Sequence, residues 1–144
     1  MNILLLISMR AHTKPMETND KQTRLLFVDD NLESVAVLIN KLEKLDFSIS
    51  VAEDGQEAIE LAQLLRPEII MMDVFMPGMD GYETCRQLKL NENTSDIPVI
   101  FITAHTDQAS MMRGFEAGGV DYLTKPLQYE ELLARINKHL AIQE

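Results

Sequence analysis

The stretch MMDVFMPGMDG, Met71 to Gly81, joins an apolar run fit for a buried strand to a loop holding Pro77, Gly78, Asp80 and Gly81. The run stops on a carboxylate, Asp73. An aspartate there can open a turn, because its short side chain bonds nearby backbone. It can also be a reactive acid, and the residues on either side of this stretch decide between the two.

Working outward, short apolar runs alternate with helical patterns. RLLFV (Arg24 to Val28), SISVA (Ser48 to Ala52), IIMMDV (Ile69 to Val74), VIFIT (Val99 to Thr103) and DYLT (Asp121 to Thr124) read as strands. Leu32, Val35, Leu38, Ile39, Leu42 and Leu45 mark one face of a first helix. Ala58, Ile59, Ala62 and Leu65 mark a second, and Tyr82 to Leu90, Gln108 to Ala117 and Gln128 to Leu140 supply three more. Strand followed by helix, repeated, predicts parallel strands joined by right-handed crossovers. The first, third and fourth strands are apolar without alternation, as strands covered on both faces must be. The expected architecture is an α/β fold with an open, doubly wound five-stranded parallel sheet and helices on both faces.

Such sheets bind ligands beyond the carboxyl ends of their strands, where strand order reverses. The polar residues at those exits are Asp29 and Asp30 after the first strand, Asp73 at the third, Thr103 at the fourth and Lys125 after the fifth. Crowded carboxylates repel each other unless a cation or altered protonation relieves them. Mg2+ suits the set, since it takes oxygen ligands and is commonly held by one or two carboxylates together with phosphate. A carboxylate beside such an ion can accept a phosphoryl group when cations neutralise the transferred oxygens. Lys125 supplies one such charge, and Thr103 a hydrogen-bond donor.

From about Arg24 onward the chain resembles the receiver domains of two-component response regulators, through FVDDN, MMDVFMPGMDGYE, IPVIFITA and DYLTKP in that order. The resemblance implies a flavodoxin-like strand order 2-1-3-4-5. It implies that Asp73 is the phosphoacceptor, that Asp30 binds Mg2+ directly and Asp29 through water, and that Phe75 adds its main-chain carbonyl to the metal. Thr103, the N–H of Ala104 and Lys125 would hold the phosphoryl group. Gly81 would serve a tight turn into the third helix, and the Lys125–Pro126 peptide would be cis. Thr103 and Tyr122 would form a switch that alters the surface of the fourth helix, fifth strand and fifth helix. The implied donor is a histidine kinase or a histidine phosphotransfer protein. The implied recipient of the signal is a downstream protein target or output domain, with a second copy of the chain, as a homodimer, a further candidate. The expected role is that of a signalling domain assisting only its own phosphorylation and dephosphorylation, standing alone or forming part of a hybrid kinase or longer regulator.

Composition narrows the alternatives. The 144 residues suit one domain, and the formal charge of −10 argues against direct nucleic-acid contact. The single cysteine, Cys85, excludes an internal disulfide framework and points to a reducing cytoplasm. Ile3 to Ile7 is too short for a signal peptide's apolar core, about 7 to 15 residues, or for a membrane span. Residues 1–23 are expected to be a flexible extension that the domain, residues 24–144, does not need to fold. Capping a helix is the plain alternative for Asp29 and Asp30; His105, two residues past Thr103, lies near the rim of the expected site or is an exposed loop histidine, and Cys85 is read as a small buried or half-buried residue rather than a reactive thiol. His12 and His139 have no partner at a telling spacing, and the methionines, including Met71, Met72, Met111 and Met112, are expected to fill core and loops. A Mg2+-dependent phosphatase or phosphotransferase of the haloacid-dehalogenase type is the rival reading. Its nucleophile would lie at the first strand in a D-x-D-x-T pattern, whereas here that strand ends VDDNLE. A nucleotide binder would need a glycine-rich phosphate loop of the G-x-G-x-x-G or G-K-[ST] kind, and neither occurs.

Overall fold

The computed structural model describes residues 22–143. Apart from Gln22 and Thr23, the extension expected at the N-terminus lies outside the described residues. The strands are β1 (Thr23–Val28), β2 (Phe47–Ala52), β3 (Ile69–Asp73), β4 (Val99–Thr103) and β5 (Asp121–Thr124). The helices are α1 (Ala36–Lys44), α2 (Gly55–Leu65), α3 (Gly81–Leu90), α4 (Gln108–Glu116) and α5 (Tyr129–Ile142). All five strands are parallel, in the order β2-β1-β3-β4-β5 expected for a flavodoxin-like sheet.

Alternation within each strand divides the core into two layers. Leu25, Phe27, Ile69, Met71, Ile100 and Ile102 face α1 and α5, meeting Ile39, Leu42, Leu132 and Ile136. Leu26, Val28, Ile70, Met72 and Phe101 face the opposite layer, meeting Ala58 and Ala62 of α2 and Cys85 and Leu88 of α3. Each fully buried large apolar side chain contributes on the order of 1.5–3 kcal/mol. Both faces of the central strands are thereby dry, which is why those strands read as unbroken apolar runs.

Helix starts are set by aspartates, but not the pair after β1. Asp54, Asp80 and Asp107 accept the N–H of Glu57, Glu83 and Ser110 at the heads of α2, α3 and α4. Asp29 and Asp30 cap nothing: the chain enters α1 through a 3-10 turn, Leu32–Val35, whose first flanking residue is Asn31. The stripe expected to run to Leu45 is cut short. α1 stops at Lys44, Leu45 is exposed, and Asp46, at φ 73°, reverses the chain to begin β2 at Phe47. Met71 and Met72 lie in the core as expected, whereas Met112 is exposed on the outer face of α4.

Register then aligns the strand exits. Val28 pairs with Ala52 and with Met72, Asp73 with Ile102, and Thr103 with Thr124. Asp29, Asp73, Thr103 and Lys125 therefore leave the sheet on one edge, with β1 and β3 adjacent where strand order reverses.

Gly81 closes that edge from the side of α3. Its N–H donates to the Val74 carbonyl at 2.8 Å, and a Cβ there would lie 2.3 Å from the Asp73 carbonyl oxygen and 2.9 Å from the Val74 Cα. Because the obstruction is backbone, relief requires displacing β3 or α3. Gly81→Ala is expected to destabilise the domain by roughly 1–3 kcal/mol, read as a lowered urea midpoint; an unchanged midpoint would show that α3 can slide away freely.

Candidate functional site

At the carboxyl edge of the sheet, Asp29 and Asp73 are buried while Asp30 is exposed. One carboxylate oxygen from each of the three lies within 4.8 Å of the others. Ligand oxygens on an octahedral Mg2+ stand about 3.0–4.2 Å apart, so a sub-ångström contraction, or a water in place of one acid, would close the set on an ion. The residues fit the metal, and the solvent-facing Asp30 leaves room for the waters it retains. The expected main-chain contribution of Phe75 follows directly in the loop, two residues beyond Asp73.

Lys125 lies across the acids, its Nζ 3.5 Å from Asp29 Oδ2 and 3.3 Å from Asp73 Oδ2. Its backbone N–H donates to the Thr103 carbonyl at 2.8 Å, and the Lys125–Pro126 peptide is cis. Thr103 is buried, and its Oγ1 accepts the His105 N–H at 3.1 Å. Ala104 sits exposed immediately after β4. Asp29 Oδ1 accepts the Asn31 N–H at 2.9 Å, which fixes the other oxygen toward Lys125. Burial, reinforced by the Asp29 charge, raises the Asp73 carboxyl from its ordinary 3.8 to about 6, against the opposing pull of Lys125 and the Phe75 N–H. Asp73 is thus a carboxylate held at an energetic cost that a further cation would relieve.

The family is decided by comparison with this arrangement in view. A model described as the response regulator receiver domain matches residues 25–137. The chain belongs to that family. Protein PilH of Pseudomonas aeruginosa is 39% identical to it over 118 residues, covering 82% of this chain and 98% of that protein. The DNA-binding dual master transcriptional regulator RpaA of Synechocystis is 38% identical over 113 residues, covering 78% of this chain and 47% of its own length. The chemotaxis response regulator CheY4 of Vibrio cholerae superposes with a TM-score of 0.77 at 27% identity, covering 83% of this chain and 99% of that one. The chain spans half or less of the length of several curated relatives. It is a receiver domain of phosphorylation-based signalling, and no described helix is long and apolar enough to cross a membrane.

Phe75 and His105, each two residues past a strand-exit residue, flank the site as their offsets from Asp73 and Thr103 lead one to expect, and other features of this receiver escape a reading of the sequence. The Phe75 ring, half exposed, meets the His105 ring with centroids 4.7 Å apart at the rim of the site. Tyr122 sends its hydroxyl to the His105 carbonyl at 3.1 Å and lies 3.1 Å from the hydroxyl of Tyr82, a residue with no place among the sequence candidates. At the opposite edge, His139, to which spacing assigned no role, has partners in the fold. It is buried, with Nε2 2.9 Å from Asp121 Oδ2, and Asp121 also pairs with Arg135 and accepts the Tyr122 N–H. Burial works against ionisation of Asp121, but His139, the Tyr122 N–H and Arg135 outweigh it and hold the carboxyl below its ordinary range. Arg135 and His139 stand four apart and so share one helix face, the only sequence signal for this cluster. Cys85 is buried as expected, its thiol pushed by burial to about 11, which makes it inert.

The raised Asp73 carboxyl gives a stability profile of definite sign. An acid with a raised pKa in the folded state contributes stability that is full below its ordinary 3.8 and lost as pH rises through about 6. In EDTA, Asp73→Asn should therefore be more stable than wild type at pH 7.5, by roughly 1–3 kcal/mol. The gap should close as pH falls toward 4, and millimolar Mg2+ should narrow it at pH 7.5 by binding the wild-type carboxylates. A variant no more stable than wild type at pH 7.5 would contradict the burden assigned to Asp73.

Proposed function

We propose that this receiver accepts a phosphoryl group on Asp73 from a phosphohistidine of a histidine kinase or phosphotransfer protein, with Mg2+ as cofactor, and thereby alters its binding to a downstream partner. The observation that carries the reading is a buried carboxylate with a raised pKa, in reach of an ammonium and two further acids at the point where strand order reverses. In the transfer, an Asp73 oxygen forms the new O–P bond as the N–P bond breaks. The electron pair returns to the donor imidazole. Lys125 holds the acceptor oxygen's neighbour and meets the incoming phosphoryl oxygens, while Thr103 Oγ1 and the Ala104 N–H supply donors on the other side. Asp29, Asp30, Asp73 and the Phe75 carbonyl would hold Mg2+, which when bound neutralises charge on the transferred group.

The switch on this reading is Thr103 with Tyr122. Thr103 Oγ1 accepts from its own loop while its O–H proton stays available to a phosphoryl group on Asp73, so movement of that hydroxyl toward the phosphoryl group would draw the bonded β4–α4 loop with it. Tyr122 is tied to that loop through the His105 carbonyl. The surface that changes is formed by α4, β5 and α5, where Met112 and Phe115 are exposed. Partner chemistry there is protein, an output domain, a separate target or a second copy of the chain. The net charge of −10 disfavours direct contact with nucleic acid, so a DNA-binding output, as RpaA's name describes for that relative, would lie in another domain. The functional unit, in a reducing cytoplasmic setting, begins with β1 at Thr23, one residue before the expected boundary at Arg24, and does not require the residues before it.

Incubation with acetyl phosphate and Mg2+ is expected to add one phosphoryl mass, labile to hydroxylamine and absent from Asp73→Asn. Label retained in that variant would refute the acceptor. Asp30→Ala should weaken Mg2+ binding and slow phosphorylation together. Turnover of a phosphate ester would instead favour a phosphatase of the haloacid-dehalogenase type.

Lifetime should depend on the Phe75–His105 pair, because hydrolysis needs a water in line with the aspartyl phosphate bond. An apolar ring at the rim occupies that approach and offers the water no hydrogen bond. Phe75→Asn should speed decay of the phosphorylated protein in Mg2+ by roughly tenfold, equivalent to about 1.4 kcal/mol; equal or slower decay would exclude Phe75 as a barrier to water.

A further inference from the structure

Behind Thr103, two phenols share too few protons. Tyr82 is almost wholly buried, and its hydroxyl donates to the Ser110 carbonyl in the first turn of α4 at 3.0 Å. The Tyr122 hydroxyl donates to the His105 carbonyl at 3.1 Å, and the two hydroxyl oxygens lie 3.1 Å apart. Each phenol carries one proton and can donate once. Burial, together with the Tyr82 hydroxyl, pushes the Tyr122 phenol above its ordinary pKa and so holds its proton in place. The three contacts therefore draw on two protons. If Tyr122 donates to His105 and Tyr82 to Ser110, the oxygens face each other without a proton between them. If Tyr82 donates to Tyr122, the Ser110 carbonyl loses it. If Tyr122 donates to Tyr82, the His105 carbonyl is released.

We infer that Tyr82 is a positioning residue of the switch, whose hydroxyl seats Tyr122 behind Thr103 and lets it exchange the His105 carbonyl of the β4–α4 loop for the Tyr82 hydroxyl, itself bonded to the head of α4. This rests on Tyr122 acting as the switch aromatic. The exchange needs no atom to travel far: release of the His105 carbonyl frees the loop whose N–H now occupies Thr103 Oγ1. The Ser110 carbonyl, at the head of α4, keeps the Tyr82 proton and becomes the end of a chain from Tyr122 through Tyr82. The surroundings are built to keep the rings in place while the protons rearrange. Phe101 packs against Tyr82 with centroids 5.3 Å apart and against Tyr122 at 6.2 Å, and the Arg113 guanidinium lies 4.7 Å over the Tyr82 ring. Gly114 admits α4 to this cluster, since a Cβ there would come within 3.1 Å of both Phe101 and Tyr122.

The test uses the full chain labelled with 13C at tyrosine Cζ, which has three resonances for its three tyrosines, assigned by single Tyr→Phe variants. Cζ responds to hydrogen bonding of its own hydroxyl. Tyr82→Phe keeps the ring and removes only the hydroxyl. In the unphosphorylated protein it is expected to move the Tyr122 resonance and lower the seated Tyr122 population about fivefold, the loss of one typical hydrogen bond. Tyr122→Phe should move the Tyr82 resonance reciprocally. A Tyr122 resonance unaltered by Tyr82→Phe, with intact folding, would overturn the inference. Failure of the phosphoacceptor reading is a separate result on the same samples: wild-type protein in acetyl phosphate and Mg2+ would show no added phosphoryl mass, whatever the tyrosine resonances do.

Discussion

The ion pairing of Lys125 with Asp29 and Asp73 is the constraint around which the carboxyl edge is organised. Two buried carboxylates less than 5 Å apart repel by roughly 3–4 kcal/mol at an effective dielectric near 20, and no apolar packing offsets that locally. One ammonium in reach of both does, and it must arrive from β5 because β1 and β3 supply the acids. The main chain is committed to this: the Lys125 N–H is bonded to the Thr103 carbonyl, so ammonium and hydroxyl are positioned by one link. The ammonium does not fully cancel the burden, since Asp73 remains raised to about 6. What is left over is an electrostatic demand that a divalent cation or a change of protonation satisfies, and it is the source of the site's chemistry.

A second consequence lies beyond the acids. Thr103, the β4–α4 loop, Tyr122, Tyr82 and α4 form a continuous run of hydrogen bonds from the carboxyl edge of the sheet toward the outer helices. Asp121 anchors the far side of Tyr122 through its N–H and through Arg135 and His139 of α5. Tyr122 therefore lies between a rigid, charged anchor at the start of β5 and a proton-sharing cluster at its ring. On the proposed reading, a charge change at Asp73 would reach the α4 and α5 surface along these bonds.

Much of the fold was legible because parallel strands buried on both faces leave a distinctive trace. VIFIT and IIMMDV could hardly be anything but central strands, and their exits located Asp73, Thr103 and the acids of β1 without coordinates. Lys125 was legible too, since the strand before it is short and ends one residue earlier. Errors fell where a local pattern met a tertiary demand. The α1 stripe runs to Leu45 on paper, but the chain must reverse at Asp46 to start β2, so the helix ends first. Met112, expected to fill core or loop, faces outward from α4.

By itself the sequence determined the alternation of strand and helix, the set of charged residues at one sheet edge and, by resemblance, the family. These follow from periodicities of two and 3.6 residues and from contiguous motifs, which are local quantities. Only tertiary structure decided that Tyr82 touches Tyr122, that Phe75 meets His105 and that His139 pairs with Asp121. Those partners are separated by 40, 30 and 18 residues, and an exposed ring, a buried phenol or a helical histidine carries no mark of what lies opposite it. Contact across elements depends on register and on helix placement to within an ångström, which the pattern of a single chain does not encode.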